Sequence, residues 1–150
     1  MSWSGMVAVG AALAVCGAAL GAGPAGADMS RNGTDPVASG CAAKTSVTAN
    51  LPLPDERGET TALTLRVLRS PACDTTWVEI DNPYPDGTAE VHTSIAVAAT
   101  DILYQRTAAR TGRQISPQVF APGRTCIKVS ATVTSAGRVL AGGGPATKIC

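Results

Sequence analysis

The sequence predicts an all-β domain: a small antiparallel sandwich or barrel held by two disulfides, with one short helix. Three observations point there. Polar and apolar residues alternate in segments 63–67, 91–97 and 127–133, the pattern of strands with one wet and one dry face. Turn-forming clusters separate these segments. Once an apolar leader is set aside, four cysteines remain, an even number that suits disulfides in an exported chain.

The leader comes first. Met6 to Leu20 is an unbroken run of apolar and small residues, and Ala25-Gly26-Ala27 supplies a small-x-small cleavage pattern. A secretory signal peptide over residues 1–27 is expected. The run falls short of the roughly 20 residues that cross a bilayer, so no transmembrane segment is expected in the mature chain. Acylation at Cys16 is the alternative, but Val15 stands where a small residue is usual. Plain secretion is therefore the stronger expectation.

Residues 28–150 then form one domain, an ordinary size for a single core. Twelve basic and eleven acidic residues give a net charge of +1, which provides no overall field for nucleic acid. Aromatic residues are 3% of the chain, and downstream of the leader they are Trp77, Tyr84, Tyr104 and Phe120. The core must rest on Val, Leu, Ile and Ala, so cross-links matter more than usual.

Along the chain, Asp35-Pro36 presets a turn and Gly40 permits an unusual φ just before Cys41. Leu51-Pro52-Leu53-Pro54-Asp55-Glu56-Arg57-Gly58 reads as a turn-rich connection. Leu63 to Val67 is a strand. Cys73 and Trp77 share parity on the next one, which would pack Trp77 beside a disulfide. After the Asp81 to Gly87 turn, Val91 to Val97 alternates, with His92 on the wet face. Arg106, Arg110 and Arg113 recur at i, i+4 and i+7, so a short helix ending near Gly112 would gather them into a basic patch. Its partner would be an anionic cell-wall polymer or an acidic extracellular protein. Ala121 to Arg124 is a turn, and Ile127 to Val133 is the last long strand.

The end of that strand bears on the cysteines. A turn at Ser135-Ala136-Gly137 folds residues 127–133 against the chain that follows, and Cys126 falls in register with Cys150 if Gly142-Gly143-Gly144-Pro145 bulges out. This pairs Cys126 with Cys150 and leaves Cys41 with Cys73. Zinc is not expected, because the spacings contain no C-x-x-C and the chain has one histidine.

Gly33-Thr34-Asp35-Pro36-Val37-Ala38-Ser39-Gly40-Cys41, followed by Ser70-Pro71-Ala72-Cys73 and Trp77, resembles the secreted actinobacterial domain-of-unknown-function family 2690. The pattern G-x-D-P-x-x-x-G-C with S-P-x-C-x-x-x-W covers residues 33–80. The resemblance continues at Ser116-Pro117-Gln118-Val119-Phe120, where the family implies Met rather than Gln118. It also implies the Cys41 to Cys73 bridge, and it implies no activity.

No catalytic residues, cofactor or metal are expected. The single histidine and the missing G-x-S-x-G, H-E-x-x-H and phosphate-loop patterns leave little enzymatic machinery. A non-catalytic binding or structural module is the functional expectation. The alternative is a small secreted hydrolase or protease inhibitor that uses turn carboxylates (Asp81 with Asp86, or Asp55 with Glu56) or an exposed Pro83-Tyr84-Pro85 loop.

Overall fold

The computed structural model describes residues 29–100 and 102–150. The expected leader, with Cys16, lies outside the described residues. The chain runs through β1 (Ser46–Pro54), β2 (Thr60–Ser70), β3 (Thr75–Asn82), β4 (Glu90–Val97), β5 (Tyr104–Ala108), β6 (Gly112–Ile115), β7 (Val119–Phe120), β8 (Ile127–Ser135), β9 (Arg138–Gly142) and β10 (Thr147–Ile149). Two antiparallel sheets result. The first runs β1-β2-β3-β6 with β7 also on β3, and the second runs β10-β8-β4-β5 with β9 also on β8.

The sheets form a sandwich because each buries its apolar parity against the other. Leu65, Val67, Val78 and Ile80 of the first sheet share one cluster with Val91, Ile95, Val129 and Val133 of the second. Each such side chain contributes on the order of 1.5–3 kcal/mol by leaving water. The core is aliphatic, as the composition requires, with Tyr84 and Tyr104 only at its margin.

Both disulfides are present, Cys41 to Cys73 and Cys126 to Cys150. The terminal hairpin shows how its register reaches the second bridge. Ser135 opposes Arg138, a one-residue shift follows, and past the Gly142 to Pro145 interruption Ile127 opposes Ile149. Cys126 and Cys150 make the next rung. Gly142 has φ 74°, and a Cβ there would come within 2.0 Å of the Ala131 carbonyl oxygen. Only glycine fits at the point where the chain leaves the ladder.

Three sequence expectations are corrected. No helix forms over residues 104–113, and no helix of seven or more residues exists among the described residues. Tyr104–Ala108 instead pairs with Val91–Ile95, and Gly112–Ile115 pairs with β3. Unpaired strands on both sheets outcompete a marginal local helix. Leu51 to Pro54 belongs to β1 rather than to a turn. Proline is tolerated there because β1 is an edge strand, where a missing N–H breaks no outer ladder. Finally, Cys73 precedes β3 in a turn with Asp74 at φ 51°, so shared strand parity does not relate it to Trp77.

Candidate anion-binding face

Residues 29–43 form a strap against the first sheet. Burial raises the Asp35 pKa and is the largest single influence on it. The Ala38 N–H, the Arg106 guanidinium and the Val37 N–H together outweigh burial and hold the carboxyl below its ordinary value. Asp35 Oδ1 accepts from the Val37 and Ala38 N–H groups, closing the turn in which Pro36 is buried. Gly40 takes φ 77°, the left-handed conformation that glycine tolerates, and the Cys41 to Cys73 bridge follows.

Gln118 is the residue that sequence reasoning undervalued. It is fully buried; its Oε1 accepts from Thr75 Oγ1, and its Nε2 donates to Thr34 Oγ1 and Ser39 Oγ. Its main chain adds bonds to Gly33 and Thr34. Trp77 shares the face of Thr75, is 2% exposed and stands apart from the inter-sheet cluster. Asp35, Pro36, Gly40, Cys41 and Cys73 thus belong to one structural assembly, and Trp77 lies on the same strand face as Thr75, which Gln118 ties to it.

The three arginines do not gather. Arg106 lies on the second sheet and bonds Asp35 at 2.8 Å, whereas Arg113 lies on the first, 3.8 Å from Glu79. Arg110 sits in the connection between them. Glu79, buried, and Asp81 share the Arg66 Nη2, at 2.5 and 2.8 Å. This lattice neutralises the outer face of the first sheet. The remaining turn carboxylates are also engaged. Asp55 accepts from the Arg57 and Glu59 N–H groups, and Glu56 accepts from the Val139 N–H. Asp86 accepts from the Thr111 N–H, and the two groups of Thr111 hold its pKa down.

His92 lies on the wet face as expected. Its Nδ1 is 2.8 Å from Thr107 Oγ1, and its Nε2 is 3.5 Å from Glu90. The three side chains could pass a proton, but the imidazole stands on an open strand face, with nothing there to exclude water or hold an oxyanion.

The outer face of the second sheet differs electrically. Alternation along β8 sends Val129, Ala131 and Val133 inward and Lys128, Ser130 and Thr132 outward. The register places Lys128 directly opposite Lys148. Like charges on one cross-strand rung repel. Neither lysine has an ion-pair partner among the described residues; the pairs there are made by arginines and His92. Two rungs along, past Ile127 opposite Ile149, comes the Cys126 to Cys150 bridge, and Arg124, two residues before Cys126, lines a hollow with Cys150.

Beside this rung the second sheet is breached. Between β9 and β10 the chain leaves β8, and a slot of about 280 Å³ opens there against the edge strand β1. Leu53, Leu65, Val129 and Ala131 give it apolar walls, and Ser130 and Thr147 add hydroxyls. Among the described residues no helix is long and apolar enough to cross a membrane, and no group of His, Cys, Asp or Glu is arranged to hold a metal. No family model, curated protein or solved structure matches the chain.

Proposed function

We propose that residues 28–150 form a secreted, non-catalytic binding module that engages an anionic extracellular partner through the outer face of its second sheet. The Lys128–Lys148 rung carries this reading. The two exposed lysines repel across the rung, and an anionic partner converts that repulsion into attraction. The disulfides are compatible with an oxidising compartment, and the leader pattern at residues 1–27 supports export. Membership of domain-of-unknown-function family 2690 belongs to the same proposal. It is supported by the single strap assembly that the motif residues build.

The test is retention of the oxidised protein on immobilised polyphosphate. The wild type should be retained, a Lys128→Gln/Lys148→Gln variant should elute at markedly lower salt, and Arg113→Gln should elute with the wild type. Unchanged retention of the lysine variant would sink the reading. The Thr107–His92–Glu90 contact is the one observation favouring a hydrolase. Turnover of cell-wall polymers that is lost in His92→Ala would establish that alternative.

A further inference from the structure

We infer that the slot beside the lysine rung binds the hydrocarbon of a carboxylate amphiphile of about ten carbons, with the headgroup on Lys128 and Lys148. The inference rests on the lysine rung being an anion site and deepens that reading. Its first support is the position of the slot. Val129 and Thr147, which oppose each other, line it, and the next rung is Lys128 opposite Lys148. One rung is roughly 3.4 Å along the strand, well within the reach of a lysine side chain.

The second support is that the slot meets both faces of the second sheet. Val129 and Ala131 belong to the inward parity of β8 and Ser130 to the outward parity, yet all three line it. The break between β9 and β10 makes this possible. Gly142 and Gly144 bring no side chains to the opening, and Gly142 cannot acquire one without striking the Ala131 carbonyl. An apolar chain lying against Leu53, Leu65 and Val129 can therefore leave through the break toward the outer face, where the cations are.

The third support is the match of size and charge. A sealed cavity of about 150 Å³ accepts benzene, and the slot, which is open to solvent on one side, offers about 280 Å³, room for a hydrocarbon approaching twice that size. Each methylene moved from water against such walls favours binding. The lysines select an anionic headgroup.

Calorimetric titration of the oxidised protein with decanoate, below its micellar concentration, tests this. The wild type should bind one equivalent saturably. Lys128→Gln/Lys148→Gln should weaken binding by about tenfold, and decyltrimethylammonium should bind no better than it does to that variant. Ala131→Leu, which fills the slot, should abolish decanoate binding while leaving retention on polyphosphate intact. If Ala131→Leu does not fold, Gly144→Leu serves instead, because a Cβ at Gly144 meets no atom. Decanoate binding that survives a folded plugged variant, or equal affinity for the cationic amphiphile, overturns the inference. No saturable decanoate binding alongside normal polyphosphate retention overturns the slot alone, whereas loss of retention overturns the rung reading itself.

Discussion

Each sheet contains a strand whose outer neighbour is broken in two, and the two breaks are treated in opposite ways. On β3 the break between β6 and β7 is filled. Ser116 Oγ accepts from the Val78 N–H, Pro117 is buried, and Gln118 fastens the strap over the outer face. On β8 the break between β9 and β10 is bridged weakly, by a 3.4 Å contact from the Gly143 N–H to the Ala131 carbonyl, and an apolar slot is left. Each side has one disulfide, buried beside the filled break and partly exposed beside the open one. A break closed by side chains is structural material, whereas one left open by glycine is available space.

The comparison can be attacked first where the filled side should be most costly to disturb. Trp77→Ala should lower stability by about 3–5 kcal/mol in urea unfolding. Thr132→Ala on the open outer face should change it by less than about 0.5 kcal/mol. Comparable losses would mean that Trp77 is not tightly packed on that face.

The bridges come next. Their loops span 32 and 24 residues, so chain entropy gives each about 3.5 kcal/mol and does not separate them. Access does separate them: limiting thiol reductant followed by alkylation should label Cys126 and Cys150 before Cys41 and Cys73. The reverse order would contradict the assignment of the buried and exposed sides.

Gln118→Met removes three side-chain hydrogen bonds and strands the Thr75 hydroxyl, at a cost of about 2 kcal/mol. Melting points of the variant and the wild type would decide it; a neutral outcome would mean that packing alone holds the strap.

Asp35→Asn should cost about 1 kcal/mol at neutral pH, the scale of a turn-capping carboxylate. Because the folded pKa of Asp35 is depressed, its contribution is fully present above the ordinary value of about 3.9. It fades as pH falls through the lower folded value. The two proteins should therefore converge in acid. A gap that persists there would assign the effect to something other than the ionised carboxylate.

The smallest effect has the opposite sign. Lys128→Glu places opposite charges on the Lys148 rung and should raise stability by about 0.2–1 kcal/mol while abolishing polyphosphate retention. A variant that is both less stable and still retained would remove the electrostatic distinction between the two faces.

Much of the fold was legible because its signals are local. Alternation located β2, β4 and β8, and counting across the Ser135 to Gly137 turn brought Cys126 to Cys150. β1 was hidden by its prolines, whose tolerance depends on being at an edge, a property of the whole sheet. The arginine spacing looked helical because periodicity carries no information about waiting strands. Arg106 and Arg113 consequently fell on different sheets, each beside a carboxylate distant in sequence.

By itself the sequence determined the strand-rich class, the aliphatic core and the cysteine pairing, since alternation, composition and register act over short stretches of chain. Tertiary structure decided which charges are spent and which are left. Asp35 meets Arg106 across 71 residues, Gln118 meets Thr34 across 84, and Lys128 faces Lys148 with no ion pair to either among the described residues. Coulomb energy depends on distance in space, and only the folded register sets that distance.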